Sequence, residues 1–337
     1  MPKNKAKQNS VKKITIRLKP VKKQKVPRKK DGKINWSKYN DQLVRRGSFD
    51  IWINESTVAD WRAKSNGRRG AQPIYSDTAI LITRQIGIVF RQNLRQTEGL
   101  VNSLLKAMKL NLAVPDFTTL SRRSERLAVP LPKNTSKTGI IVITDSSGLK
   151  VYGEGEWKVR QHGWSKHRRW LKFHIMITPD GELRATKLTG NDQTDSEAFP
   201  NLLGQETAEN IQVIVGDGAY DKNWVYQAGL ERKVKRFLIP PQKNAKILIH
   251  GNSKCQAPHP RDVNLRAIRK TTRMHWKKAS GYHIRSLAET TVSRFKNAFG
   301  DRIQARKFAN QETEFKIKAR ILNVFHSLGM PEYLPAA

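Results

Sequence analysis

Hydrophobic residues follow two different spacings along the chain, and the change falls near residue 132. Before it, apolar residues recur every three to four positions, which predicts helices that open at Ser37, Asn54, Ser76, Asn93 and Asp116. After it, residues 140–143 and 211–215 form continuous apolar runs, typical of strands that are buried on both faces. The pattern predicts an all-α region followed by an α/β domain.

The second half contains further predicted elements. Residues 170–178 and 182–189 flank the turn Pro179-Asp180-Gly181 and predict a β-hairpin. A helix is expected from Asp195 to Leu203, and a helical stretch from about Tyr282 to Leu328. A Pro-, Lys- and Asn-rich segment at about 239–263 predicts a short insertion. The predicted organisation is a disordered arm (1–33), a helical region (34–131) and an α/β domain (132–337).

Charge points to a polyanionic partner. The chain has 64 Lys and Arg against 28 Asp and Glu, a net charge of +36. Residues 1–33 hold fourteen Lys and Arg and one acid, Asp31, which describes a solvated arm able to bind nucleic acid without sequence preference. The role of this arm stays open. We therefore expect DNA or RNA as the partner.

Several protein classes are excluded or disfavoured. With Cys255 as the single cysteine, an intramolecular disulfide and a four-cysteine zinc site are impossible. The apolar stretch 79–90 is too short for a membrane span, and the lysine-rich N-terminus lacks the apolar region of a signal peptide. No phosphate-binding loop of the G-x-x-x-x-G-K-[ST] type occurs, so no nucleotide cofactor is expected. These features predict a cytoplasmic protein without membrane contact.

Two acids follow the predicted buried strands. IIVITD places Asp145 at the end of one strand, and IQVIVGD places Asp217 at the end of the other. Carboxylates at adjacent strand ends can converge on one metal ion. Asp221 lies four residues after Asp217 and is a competing candidate, but the strand-end position favours Asp217. Asp195 is interpreted as part of a turn and helix cap.

A third acid lies in the segment YHIRSLAETTVSRFK. At about 100° per residue, Tyr282, Arg285, Glu289 and Lys296 form a narrow polar stripe on one helix face. A neighbouring apolar arc is expected to anchor this helix to the sheet: Ile284, Ala288, Val292, Phe295 and Phe299.

Together the three acids favour a metal site. Mg²⁺ prefers hard oxygen ligands and phosphate oxygens, and two such ions about 3.5 to 4 Å apart can support in-line phosphoryl displacement. Each acid alone has an ordinary structural explanation: Asp145 caps a turn, Asp217 or Asp221 caps a helix, and Glu289 pairs with Arg285. Their joint occurrence in a strongly basic chain favours the metal site.

These residues resemble the DDE transposases of bacterial insertion sequences. Tyr282, Arg285, Glu289 and Lys296 match the signature Y-x2-R-x3-E-x6-K, and TDSSGLKVYGEGEW, HGWSKHRRW and VGDGAYD are similar to further blocks of that family. The likeness extends from about Trp36 to Leu328.

The resemblance implies an α/β fold of the RNase-H-like class, a mixed sheet flanked by helices. It implies that Asp145, Asp217 and Glu289 bind Mg²⁺, with Mn²⁺ as a substitute, and that Tyr282, Arg285 and Lys296 contact DNA near the transferred end. The implied reaction is cleavage at the element ends and 3′-hydroxyl strand transfer. The implied partners are terminal inverted repeats, target DNA and further copies of the chain, at the bacterial nucleoid.

Two more basic segments are candidates for DNA contact. The helix after Asp116 carries Arg122 and Arg123 and could be the second helix of a helix-turn-helix, although any helical bundle shows a similar pattern. Lys166, Arg168 and Arg169 lie among tryptophans, a combination suited to phosphate contact and base stacking, although those tryptophans could also pack the hairpin.

Two other functions fit the charge. A catalytically inactive DNA-binding regulator, or a decayed transposase copy, would bind element ends without cutting them. An architectural or ribosomal protein would explain the basicity but not the three acids. The intact set of acids favours the enzyme.

Overall fold

The computed structural model describes residues 36–65, 67, 69–132, 139–151, 170–208, 210–248 and 258–329. The predicted arm lies outside these ranges. So do Lys166, Arg168 and Arg169 in the tryptophan-rich segment, and residues 249–257 of the predicted insertion.

Within the described residues, five helices precede the sheet. They are α1 (Trp36–Arg45), α2 (Glu55–Ala59), α3 (Asp77–Val89), α4 (Leu94–Ala107) and α5 (Phe117–Ser124). Residues of the predicted types cap four of them: Asn54, Ser76, Asn93 and Asp116. The sequence pattern predicts that the helix opened by Asn54 continues through Lys64, but α2 ends at Ala59, so that prediction is wrong. The chain turns there because Trp61 enters the core and its Nε1–H donates to Ala113 O at 2.8 Å.

A mixed sheet forms the centre of the second half. Its strands are β1 (Ile140–Val151), β2 (Trp170–Ile177), β3 (Leu183–Thr189), β4 (Ile211–Val215), β5 (Arg236–Leu238) and β6 (Arg302–Ile303). The order is β3-β2-β1-β4-β5, and β6 pairs with the end of β1. β2 and β3 form the predicted antiparallel hairpin, and β2 is also antiparallel to β1. β4 runs parallel to β1, and β5 runs parallel to β4.

Helices follow and surround the strands. They are α6 (Asp195–Gln205), α7 (Asn223–Glu231), α8 (Pro260–Lys270), α9 (Arg273–Ser280), α10 (Ser286–Phe299) and α11 (Phe308–Gly329). The prediction of one helical stretch from Tyr282 to Leu328 is wrong. Residues Tyr282–Arg285 form a 3₁₀ turn, and the chain leaves α10 at Gly300, whose φ of +78° favours glycine, to form β6.

Helices cover both faces of the sheet. On one face, the ring centroids of Phe295 in α10 and Phe315 in α11 lie 5.6 Å apart, and each lies 5.3 Å from the ring centroid of Phe173 in β2. On the other face, Phe199 of α6 and Tyr226 of α7 pack in a second core. A mixed sheet between two helical layers is the predicted RNase-H-like α/β class, which is confirmed. The predicted apolar arc on α10 is confirmed by the burial of Ala288 and Phe295.

Helix α11 links the sheet to the N-terminal helices. Phe315 and Leu322 pack in the core beneath the sheet, whereas Ile317 and Ile321 pack among α3, α4 and α5. The amide of Asn323 also exchanges two hydrogen bonds with the backbone of Leu183 in β3. The predicted boundary between residues 131 and 132 therefore stays a prediction, because the two regions share this helix. No helix in the described ranges is long and apolar enough to cross a membrane.

Candidate active site

Strand register brings the first two acids to the same level of the sheet. β1 and β4 are parallel, and their last paired residues are Ile143 and Val215. Asp145 and Asp217 each lie two residues further along the chain. Because side chains two apart point to the same side of a strand, both acids continue the face of Ile143 and Val215, which is the face that α10 covers.

Asp145 differs from its predicted place in one respect. It does not end a strand, because β1 continues to Val151 through pairing with β2, in which Asp145 lies opposite Ile175. Asp217 does follow its strand. It caps the 3₁₀ turn Gly218–Tyr220 and accepts the Ala219 N–H at 2.8 Å. The acids still meet because the parallel pairing with β4 stops just before Asp145.

The segment around α10 supplies the third acid and three polar partners. Arg285 Nη1 lies 3.3 Å from Asp145 Oδ2, and Arg285 Nη2 contacts Glu289 Oε1. Lys296 Nζ donates to Ser147 Oγ at 2.8 Å. The predicted single helical stripe is wrong in detail, because Tyr282 and Arg285 lie in the 3₁₀ turn, whereas Glu289 and Lys296 lie in α10. The signature residues nevertheless converge on β1.

Ser147 is a member of the site that the sequence reasoning missed. It lies two residues after Asp145 on β1, so it shares the face of that acid. The period-two alternation of a strand would have identified it, had the strand been expected to continue past Asp145.

The three carboxylates lie close enough to Tyr282 and Arg285 to shift the pKa of both side chains. Burial raises the pKa of Tyr282 to about 12, with contributions from Asp217, Asp145 and Glu289 in the same direction and from Arg285 against it. Burial lowers the pKa of Arg285, but Tyr282 and the same three carboxylates together raise this pKa by a larger amount, so the net shift is upward. At neutral pH the phenol is therefore protonated and the guanidinium charged.

The surroundings of Asp145 disfavour the charged form of its carboxyl group. Burial raises its pKa above the ordinary value of 3.8, and the charges of Asp217 and Glu289 add to this, whereas the Ser146 N–H and Arg285 lower it. A carboxylate whose charged form is disfavoured by the fold is typical of a functional site. At a position that served stability alone, a neutral side chain or a fully paired charge would be more favourable.

We expect Asp145→Asn to stabilise the metal-free protein. Because the pKa is higher in the folded than in the unfolded state, stability is lost as pH rises from 3.8 through the folded pKa. The variant avoids this loss. Urea unfolding in EDTA should show a higher midpoint for the variant at pH 7, and a difference that disappears near about pH 3. A less stable variant at pH 7 would show that the Arg285 pairing outweighs burial.

Asp221 proves to be a structural residue. Its buried carboxylate receives Nε and Nη2 of Arg261 at 2.8 and 3.2 Å, the Tyr226 hydroxyl at 3.0 Å and the Gln242 N–H at 3.0 Å. Asp217 is partly exposed and accepts the single Ala219 N–H noted above. Asp217 therefore has more oxygen lone pairs free for a ligand than Asp221, and its role as the second acid stays a prediction.

Asp195 lies on the other face of the sheet. Its carboxylate contacts Lys172 Nζ at 2.7 Å and His174 Nδ1 at 3.4 Å. His174 pairs with Ser146, so its side chain projects away from the face of Asp145. Thr194, not Asp195, is the cap of α6, and Asp195 is the first residue of that helix. Its exclusion from the acidic set is consistent with this geometry.

The chemistry of the donor set suits a divalent metal ion. Across the described residues, no group of three or more His, Cys, Asp or Glu is arranged to hold a metal as it stands. Instead, the Arg285 guanidinium contacts both Asp145 and Glu289, so a cation already bridges two of the three acids. Carboxylate oxygens that gather around positive charge are ligands of the type Mg²⁺ and Mn²⁺ prefer.

The two arginines predicted on α5 differ in availability. Arg123 is held by Asp77, with Nη2–Oδ1 at 2.5 Å, and donates to Tyr75 O at 3.1 Å. Arg122 is exposed and donates to Thr118 Oγ1 at 3.2 Å. Helix α5 therefore presents Arg122 to a ligand more readily than Arg123. Trp276 is buried against Tyr282, with ring centroids 5.7 Å apart, and therefore occupies a core position.

Comparison with known families agrees with the geometry. Two family models, each described as a transposase DDE domain, match residues 44–154 and 136–324. The second match spans every strand of the sheet and includes Asp145, Asp217 and Glu289. The mixed sheet with acids on adjacent strands and on a covering helix is the architecture that the sequence signature implied. The chain belongs to the DDE transposase family.

Proposed function

We propose that this transposase cleaves DNA at the ends of an insertion sequence and transfers the exposed 3′-hydroxyl into target DNA. The observation that carries the proposal is the convergence of Asp145, Asp217 and Glu289 beside the cations Arg285 and Lys296. Acids alone would repel a phosphodiester, and cations alone would only bind it. The combination suits phosphoryl transfer.

We propose Mg²⁺ as the cofactor, with Mn²⁺ able to replace it, held by the three carboxylates. When bound, such ions polarise the phosphate and stabilise both the attacking and the leaving oxygen of an in-line displacement. The roles of the chain's own residues follow from their contacts and charges.

Arg285 and Lys296 are suited to hold the phosphate. The planar guanidinium has five N–H donors and is shared between two acids in the structure, so it retains donors for a phosphate oxygen. Lys296 is oriented by Ser147 at 2.8 Å. The Tyr282 phenol, with a pKa of about 12, keeps its proton at neutral pH and can donate a hydrogen bond to the same phosphate.

The proposed reaction has two displacements. In the first, the oxygen of water attacks the scissile phosphorus, the bond to the 3′ oxygen breaks, and that oxygen takes a proton to become a hydroxyl. In the second, the 3′ oxygen attacks a phosphorus of target DNA, loses its proton, and displaces another 3′ oxygen. One phosphodiester is exchanged for another in the second step, so it needs no ATP.

We also propose that the chain acts as a homo-oligomer on DNA, because two element ends have to be joined to one target. Its place of action would be the nucleoid, where its DNA substrate lies. These proposals rest on the family's chemistry, with DNA as the substrate class that family membership supports.

Lys296→Gln tests the phosphate-holding role. The variant should weaken duplex binding about tenfold and reduce the slope of log K against log salt by about one. Fluorescence anisotropy over a salt series gives both quantities. Lys235→Gln, at an exposed lysine between α7 and β5, is the matched control and should change neither. An unchanged salt slope in Lys296→Gln would place this lysine away from the DNA.

The activity is tested with linear DNA that carries the element's terminal repeats. We expect nicks at the repeat boundary in Mg²⁺ or Mn²⁺, none in EDTA, and products that a polymerase extends because they end in a 3′-hydroxyl. Addition of a target plasmid should give joined products. Binding of the repeats without cleavage would instead support the regulator or decayed copy.

A further inference from the structure

A basic cleft lies between the N-terminal helices and the start of α11. It has a volume of about 700 Å³ and is lined by the turn between α3 and α4, by α5, and by the chain from Phe299 to Lys318. Six cations line it: Arg84, Arg91, Arg302, Arg306, Lys307 and Lys318. Within the described part of the chain, Glu314 is the acid in this lining.

Glu314 does not neutralise the cleft. Its carboxylate accepts the N–H groups of Gln304 and Ala305 and pairs with Lys318 at 2.8 Å. Lys307 is paired with Glu125 at 2.5 Å. Two further cations of the lining are Arg84 and Arg306.

Arg84 and Arg306 have no ion pair or hydrogen bond with any residue in the described ranges. Arg306 is exposed. Arg84 lies on α3 among buried neighbours, and its Nε is inaccessible to solvent without a hydrogen-bond acceptor. Burial lowers the pKa of Arg84, while Glu314 acts in the opposite direction. A guanidinium in this position is costly unless an anion satisfies it.

The cleft continues towards the exposed arginine of α5. A second cavity of about 810 Å³ shares Asn93, Leu94, Ser121 and Arg306 with it, and is lined further along by Arg122. The two cavities thus join the helix that the sequence favoured for DNA contact to the end of α10.

Helix α10 sets the distance between Glu289 and the end of the cleft at Phe299. Glu289 and Phe299 are ten residues apart on α10, and Phe299 lines the cleft. At 1.5 Å per residue this is about 15 Å. The phosphates of one strand of duplex DNA advance about 3.4 Å each along the helix axis, so a duplex that runs parallel to α10 covers this distance in four to five base pairs.

We propose that the cleft binds the DNA backbone about four to five base pairs from the scissile phosphate, with Arg306 and Arg84 as phosphate ligands. The inference rests on the proposed function in taking DNA as the substrate of the acids. It adds a second backbone site that fixes the distance between the cleaved bond and the DNA held by α5. A DNA strand with several phosphates suits the site better than a single anion, because the cations that line it extend through two connected cavities.

The test combines a protein change with a DNA change in a binding cycle. Duplexes that carry the terminal repeat are made with the phosphates four to five positions from the cleavage point either intact or replaced by neutral methylphosphonates. Full-length wild type, Arg306→Glu and the control Lys235→Glu, which makes the same charge change at an exposed site, are titrated in EDTA.

We expect the neutral phosphates to weaken wild-type and Lys235→Glu binding about tenfold each, and to have no further effect on Arg306→Glu. Equal losses in all three proteins would overturn the proposal, because the cleft would then not contact those phosphates. The result is separable from the proposed function: failure of the cleft leaves wild-type cleavage intact, whereas failure of the function leaves wild type without cleavage whatever the binding cycle shows.

Discussion

Asp145→Asn, Asp217→Asn and Glu289→Gln are each expected to lower the rate of DNA cleavage by on the order of 10³-fold or more. Each change removes a charged oxygen from the proposed metal site, where metal-centred charge stabilisation would contribute several kcal/mol, and about 1.36 kcal/mol corresponds to tenfold in rate. Each replacement preserves the shape of its side chain, so the fold and duplex binding should be retained.

Single-turnover cleavage of pre-bound terminal-repeat DNA in Mg²⁺ measures this effect. Asp192→Asn is a matched control, since Asp192 is an exposed acid in the turn before α6 and lies outside the proposed site. It should cleave at the wild-type rate. Wild-type cleavage by any of the three variants would remove that residue from the set of metal ligands.

Asp221→Asn should instead unfold the protein more easily, by about 3 to 5 kcal/mol. Asp221 is buried and accepts four hydrogen bonds, two of them from Arg261, whose side chain is 13% exposed. An asparagine loses the negative charge and turns an N–H₂ group towards groups that are themselves donors. The Arg261 guanidinium is then left without its counter-charge.

Urea unfolding of Asp221→Asn and Asp217→Asn side by side separates the two acids. Asp217→Asn keeps the oxygen that accepts the Ala219 N–H, so its unfolding free energy should stay within about 1 kcal/mol of wild type. The two substitutions are chemically identical and lie four residues apart. If Asp221→Asn were as stable as wild type but inactive, the second acid of the site would have been assigned to the wrong residue.

Local chemistry made much of the fold predictable. Asn54, Ser76, Asn93 and Asp116 cap helices because a nearby side chain accepts a hydrogen bond from a free N–H group at the start of the helix. That side chain belongs to the cap itself or to the residue three positions later, so capping is a short-range property. The apolar run 211–215 predicted a buried strand for the same kind of reason, and Asp217 follows it directly.

Features that depend on distant pairing were not predictable. β1 continues past Asp145 because β2 and β6 pair with it, and β6 lies about 150 residues further along the chain. The 3₁₀ turn at Tyr282–Arg285 breaks the helical stripe. The Arg285–Glu289 pair follows the i,i+4 spacing, whereas the contact of Arg285 with Asp145, 140 residues away in the chain, is not contained in any spacing rule.

The basic cleft shows the same limit more strongly. Arg84, Arg306 and Arg122 come from α3, the segment before α11, and α5, which are far apart in the chain. Net charge indicated a nucleic-acid partner, but the place where those cations gather depends on the packing of α11 against the N-terminal helices.

The most direct test of the central claim, that three acids from separate elements form one metal site, is cleavage of the polypeptide by bound Fe²⁺. With ascorbate and peroxide, an ion held by Asp145, Asp217 and Glu289 should cut the full-length chain near those three positions, and excess Mg²⁺ should suppress all three cuts together. The cuts should also disappear in Asp145→Asn. Cuts confined to one of the three positions, or cuts elsewhere that Mg²⁺ suppresses, would contradict the site.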